Sequence, residues 1–246
     1  MGHRETYGGG RAFLQLMNER QRFPFVVACI ATAIVVGFSL LTTHLIDPAP
    51  KAANETYWYL ERSAGFTSYG LLSIAVLLGA SSSLSFWERW NMRKLMTQMH
   101  QYASLLVFPF LFFHLWGLYM DKSVSFGIIQ LLIPLTTRYR AIPTALGILT
   151  LYAWLTLIVT SYFREKIGVK IWRAIHILSF PMFFAVTFHG LFSGTDSNKL
   201  WAVLIYVVPT VIFTILCLKR IRKSTITTSK NHVPKHANQR TQEHVR

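Results

Sequence analysis

The sequence predicts an all-α membrane protein, a bundle of six transmembrane helices. Three observations carry that prediction. Of 246 residues, 52% are hydrophobic and only 14% charged, the composition of a chain solvated by lipid rather than by water. The charges are bunched, and between them lie six uncharged runs: Pro24 to Ile46, Ala64 to Trp87, Leu95 to Met120, Ala141 to Phe163, Ala174 to Thr195 and Leu200 to Leu218. Each comes close to the roughly 20 residues that a helix needs to cross about 30 Å of hydrocarbon. With six crossings, 19 of the 25 Lys and Arg residues fall on one side of the membrane and 6 on the other.

That asymmetry sets the orientation. Basic residues stay in the cytoplasm, so both termini are expected there, in a multi-pass protein of the plasma membrane. The net charge of +15 then reports topology and attraction to the lipid bilayer, and calls for no nucleic acid partner. Trp87, Trp90 and Trp172 fall near the inner boundary and Trp58 and Trp201 near the outer one, where interfacial aromatic residues belong.

Along the chain, residues 1–23 are polar, Gly-rich and basic and read as a disordered cytoplasmic segment. Their start, "MGHRET", fits the acylation pattern at Gly2, and "NET" at Asn54 fits the glycosylation pattern, both short matches that chance often produces. The first run exceeds the apolar core of a cleaved leader, so it reads as the first span. Between the third and fourth runs, "DKSVSFGIIQLLIPLTTRYR" holds an apolar core too short to cross, and it reads as an interfacial piece over the outer face. Residues 24–218 form the predicted membrane domain and 219–246 a basic cytoplasmic tail. Cys29 and Cys217 read as buried, unpaired thiols.

Nine histidines occur. His3, His232, His236 and His244 sit in the tails, and His44 at the end of the first run. The other four lie within spans, His100 and His114 on the third and His176 and His189 on the fifth, where an ionisable side chain is a functional signal. The third and fifth spans run in the same direction, with about 21 Å and about 19.5 Å between their two histidines at 1.5 Å per residue. Two couples are therefore expected at two matching depths, His100 with His176 near the inner leaflet and His114 with His189 near the outer one.

Two imidazoles facing each other in lipid suit the axial positions of a six-coordinate haem iron, each giving one neutral nitrogen. Tetrahedral zinc wants four ligands in one place, whereas these come two by two; the bland reading is a helix-to-helix hydrogen bond at each histidine. One difficulty is angular. On an ideal helix His100 and His114 stand about 40° apart, but His176 and His189 about 140° apart. The fifth span must be distorted, and Pro181 supplies a cause, with Pro109 in a similar place on the third. Small residues on the second span (Ser68, Gly70, Ser73, Gly79, Ala80, Ser81) and Gly117 beside His114 permit close approach of helices or of a flat cofactor. Phe108, Phe110, Phe112, Phe113, Phe180, Phe183 and Phe184 read mainly as apolar filler.

Six spans with this histidine spacing, and the "ERSAG" stretch from Glu61 to Gly65 at the start of the second run, resemble the ferric reductase transmembrane domain shared by NADPH oxidases and ferric-chelate reductases. The resemblance implies two haems b, one between His100 and His176 and one between His114 and His189. It also places Arg62 beside the outer haem, where the acceptor is reduced. Arg173, one turn before His176, becomes a candidate partner of an inner propionate, with Arg89, Arg93, Lys94, Lys166 and Lys170 on the same face; Arg138, Arg140 and His44 are further candidates on the acceptor side. Only 28 residues follow the last run, too few for a flavin and nicotinamide domain. A separate cytoplasmic flavoprotein or quinol is therefore the expected donor, as in stand-alone bacterial relatives.

The expected activity is oxidoreductase-type transmembrane electron transfer to an extracytoplasmic acceptor such as a ferric chelate or oxygen. The alternatives are a haem subunit serving a periplasmic oxidoreductase, as in methionine sulfoxide reductase systems, and a cofactor-free transporter using the same histidines.

Overall fold

The structure is a computed structural model that describes residues 50–82 and 87–231. The first predicted span, the N-terminal segment, the last part of the C-terminal tail (232–246), His44 and Cys29 lie outside the described residues. Five described helices are long and apolar enough to cross a membrane: Glu55–Ser82, Arg93–Met120, Ala141–Tyr162, Val169–Ser193 and Leu200–Arg222. They match the second to sixth predicted runs. The chain is a multi-pass helical membrane protein.

Helix α1 (Pro50–Ser82) starts well before the predicted Ala64 and stops short of Trp87. Hydropathy marks only the part of a helix that lies in hydrocarbon; the backbone ladder continues through Glu55, Glu61 and Arg62 because it needs no apolar side chain. Its end is closed by Ser81 and Ser82, whose hydroxyls donate back to the carbonyls of Leu78 and Gly79. The Trp87 indole N–H donates to Ser81 Oγ at 2.9 Å, and a single 3₁₀ turn (Glu88–Trp90) follows.

Helix α2 (Arg93–Met120) runs unbroken across Pro109. It stops at Asp121, whose buried carboxylate accepts from the backbone N–H and hydroxyl of Ser123 at 2.8 and 2.7 Å, a local alternative to further helix. The predicted interfacial piece contains the short α3 (Ile128–Leu132), with Ile128, Ile129, Ile133 and Leu135 exposed. Helix α4 (Ala141–Tyr162) carries Pro143 in its first turn, where no N–H is needed.

The fifth predicted run is two helices. After the short α5 (Arg164–Ile167), Gly168 turns the chain at φ 83° into α6 (Val169–His176), and α7 (Ser179–Ser193) follows a turn at Ile177–Leu178. That turn is tightened by three-residue bonds, Leu178 N–H to Ile175 O at 2.9 Å and Phe180 N–H to Ile177 O at 3.0 Å. Pro181 lies in the first turn of α7, where its missing N–H leaves no gap in the ladder. The angular mismatch between His176 and His189 is thus absorbed by a break, whereas the smaller mismatch on α2 leaves that helix continuous. Helix α8 (Leu200–Asn231) runs beyond the predicted Leu218, through the first part of the expected tail.

Helix α1 packs mainly along α2, and α4 along α7, with α8 closing against α1 and α7. Helix α2, which carries His100 and His114, is not closely packed against α6 or α7, which carry His176 and His189. Lipid gives no hydrophobic drive between helices, so shape and hydrogen bonds hold such a bundle. Phe183 and Phe213 are wholly buried between α7 and α8, their rings 5.1 Å apart, and Tyr69 of α1 stacks on Phe183. The Tyr69 hydroxyl lies 3.1 Å from both Thr187 Oγ1 and the Tyr206 carbonyl. Among the other interspan aromatics, Phe108 and Phe112 are exposed, and Phe108 stacks on Trp154 of α4 with ring centroids 6.2 Å apart.

Candidate functional site

The four span histidines come together as two couples. The rings of His100 and His176 have centroids 6.2 Å apart at 70°, and those of His114 and His189 lie 6.4 Å apart at 79°. Among the described residues no group of three or more His, Cys, Asp or Glu side chains gathers to hold a metal. The couples stand apart, as two donors each.

Three of the rings are fixed in the same way. His100 Nδ1 lies 2.7 Å from the Ala75 carbonyl, His114 Nδ1 2.7 Å from the Glu61 carbonyl, and His189 Nδ1 2.9 Å from the Pro143 carbonyl. A helical carbonyl points towards the residue four positions later, so that residue's Cβ guards it. In all three cases that residue is glycine. A Cβ on Gly79 would meet His100 at 3.2 Å, one on Gly65 would meet His114 Nδ1 at 3.0 Å, and one on Gly147 would meet His189 Nδ1 at 2.6 Å. Each glycine opens a notch through which an imidazole reaches a carbonyl that already serves the helix; the second lone pair makes this possible.

An N–H at Nδ1 donated to a carbonyl leaves Nε2 as the free lone pair. That is the form in which a neutral imidazole ligates a metal. Two metal–imidazole bonds of about 2 Å, with each nitrogen about 1 Å from its ring centre, require centroids about 6 Å apart, which both couples satisfy. The close approach of α1 to α2 has the same kind of origin, since a Cβ on Gly117 would run into the backbone of Glu61 at 2.8 Å. Gly190, next to His189, has the Tyr206 ring in the place of its missing side chain.

A cavity of about 220 Å³ surrounds the His114–His189 couple. Gly65, Gly147, Arg62 and Asp196 line it, and so do Ser68 and Trp154. Ser68 Oγ and Trp154 Nε1 are buried there without a hydrogen-bond partner among the described residues.

Arg62 is held at this cavity. Its guanidinium pairs with Asp196, donates to Thr195 Oγ1 and lies 4.0 Å from the Trp58 ring centre. Asp196 is 6% exposed and also pairs with Lys199 at 3.1 Å. The charge of Arg62 is thus engaged by its own chain. Of the other arginines proposed from sequence, Arg140 caps the far end of α7, donating to the carbonyls of Phe192 and Gly194 at 2.7 and 3.1 Å; Arg138 and Arg173 are exposed. Cys217 is a free thiol.

The family model of the ferric reductase like transmembrane component matches residues 64–187, just over half of the chain. The chain belongs to that family. The match to the ferric reductase-like component covers α2, α4 and α6 and takes in His100, His114 and His176; it ends two residues before His189. No curated protein and no solved structure matches the chain significantly.

Sequence reasoning missed two features of this ferric reductase-like domain, Gly147 and the Arg62–Asp196 pair. A signal for the glycine notches was present: Gly65 and Gly79 on the second run have the same separation as His100 and His114 on the third, the pattern of two antiparallel helices meeting twice. No such signal exists for Gly147, which faces a single histidine.

Proposed function

We propose that the chain carries electrons across the membrane through two bis-histidine haems b, His100 with His176 holding one and His114 with His189 the other. The observation that carries this reading is the pair of ring separations, 6.2 and 6.4 Å, each the span of one metal atom between two imidazole nitrogens. The three glycine notches support it independently, because they hold each ring in the tautomer that ligates. When bound, such haems supply one-electron carriers on the two sides of the bilayer. Membership of the ferric reductase-like family agrees with membrane electron transfer.

The protein's own share is binding and orientation. Carbonyls of Ala75, Glu61 and Pro143 fix three imidazoles, α1 and α4 supply the notched walls, and the break before α7 turns His189 towards His114. With two histidines holding each haem, the protein would leave no ligand position free, so an acceptor would be reduced without binding the metal. The cavity beside Arg62, which the haem of His114 and His189 would occupy, marks the proposed acceptor side, where a ferric chelate or oxygen would be reduced. Exposed Arg164, Lys166, Lys170 and Arg173 precede His176 and support a negatively charged donor, such as a flavoprotein, at the opposite, cytoplasmic face. With a negative interior, an electron crossing the whole field outward gains about 2.3 kcal/mol per 100 mV.

Optical spectroscopy and haem analysis of the purified protein test this reading. Wild type is expected to show the absorption of reduced low-spin haem with two haems per chain, and His100→Ala and His114→Ala are each expected to lose one. Folded, colourless wild-type protein refutes the proposal, as does unchanged haem content in either variant.

A further inference from the structure

The fourth histidine breaks the pattern. His176 Nδ1 is buried and has no hydrogen-bond partner among the described residues, and no described glycine is placed against its ring. It is positioned by a stack instead. Trp172, one turn earlier on α6, lies with its ring centroid 4.9 Å from that of His176 at 32°. The Trp172 indole N–H donates to Ser161 Oγ of α4 at 3.1 Å, and the Arg164 guanidinium lies 4.9 Å from the Trp172 ring centre. Ser161 and Arg164 thus hold the indole, and the indole holds the imidazole.

We propose that His176 is the weakly held ligand of the four, with Trp172 its positioning residue, so that the His100–His176 couple gives up its haem more readily than the His114–His189 couple. The inference rests on the reading of the couples as haem ligands. An imidazole that ligates through Nε2 keeps its proton on Nδ1. For His100, His114 and His189 that proton has a carbonyl, which orients the ring and makes its ligating nitrogen more basic. For His176 the same proton has no acceptor among the described residues. Loss of such an outer partner typically weakens metal binding by about 10–100-fold. A stacked indole restores orientation but accepts no such bond.

The experiment is haem transfer from the full-length protein, in detergent, to excess apomyoglobin. Wild type is expected to release haem in two phases of equal amplitude whose rates differ about tenfold or more. The fast phase alone should remain in His114→Ala and the slow phase alone in His100→Ala. Trp172→Ala should speed the fast phase about threefold or more, leave the slow phase unchanged and shift the paramagnetic resonance signal of the fast-releasing centre, while Trp172→Phe, which keeps a stacked ring, restores both. A single phase, or fast release from the His114–His189 couple, overturns the inference, and so does a Trp172→Ala protein with unchanged rates and signal. Because the wild-type comparison needs no substitution, the first of these outcomes can be read even if a variant does not fold. Wild type without haem overturns the underlying proposal; wild type with two haems released at one rate overturns this inference alone.

Discussion

Gly147→Ala is expected to cost the protein the haem held by His114 and His189 while leaving the helix that carries the substitution intact. The added Cβ would stand 2.6 Å from both Nδ1 and Cε1 of His189, so the ring must retreat roughly 0.8 Å to reach an ordinary contact of 3.4 Å. Along the direction of the bond, such a shift takes the 2.9 Å contact to the Pro143 carbonyl beyond hydrogen-bonding range. A buried donor left without its acceptor costs about 1–3 kcal/mol, which corresponds to the 10–100-fold loss of metal affinity typical of a missing outer partner. Against this, alanine is favoured over glycine inside a helix by about 1 kcal/mol, so α4 itself loses nothing. The assay is haem content and reduced-minus-oxidised absorbance at matched protein concentration, with thermal unfolding of the same samples. The effect should grade with crowding: Gly147→Ala most severe, then Gly65→Ala at 3.0 Å, then Gly79→Ala at 3.2 Å, the last acting on the other couple. Gly70→Ala is the control, since its Cβ would meet nothing within 4 Å, and full haem content is expected. Full haem retention and an unchanged spectrum in Gly147→Ala refute the notch argument, as does equal haem loss in Gly70→Ala.

Two further outcomes follow from the ion pair and the apolar core. Asp196→Ala strands the largely buried Arg62 guanidinium and should lower unfolding stability in detergent by about 3–5 kcal/mol. Lys199→Ala, removing a partner whose side chain is 62% exposed, should change it by less than about 0.5 kcal/mol; equal effects of the two contradict the assignment of Arg62–Asp196 as the dominant pair. Phe183→Ala empties the most buried large side chain, 0% exposed between Tyr69 and Phe213, and should cost about 3–5 kcal/mol in a denaturant titration. A loss below about 1 kcal/mol would mean that the α1–α7–α8 core collapses around the gap.

The sequence by itself determined the transmembrane character of the chain, because a backbone in hydrocarbon must bond within its own helix and a long run of apolar residues permits little else. It also marked the four histidines, whose polarity stands out wherever lipid is the solvent. Helix ends were harder to read. Glu55, Glu61 and Arg62 leave hydrocarbon without leaving the helix, and α1 and α8 outrun their apolar stretches for that reason. Pro181 announced a distortion between His176 and His189, but its form, a tight turn at Ile177–Leu178, depends on which carbonyls find partners. Tertiary structure alone decided that Pro143 and Gly147 serve His189, that Asp196 engages Arg62, and that Trp172 rather than a carbonyl steadies His176. The first two are contacts between residues far apart in sequence, and the third becomes decisive only because no carbonyl of another helix reaches His176 among the described residues. Local pattern encodes the face that a helix shows, whereas the rotation and depth at which two helices meet are set by all their small and large side chains together.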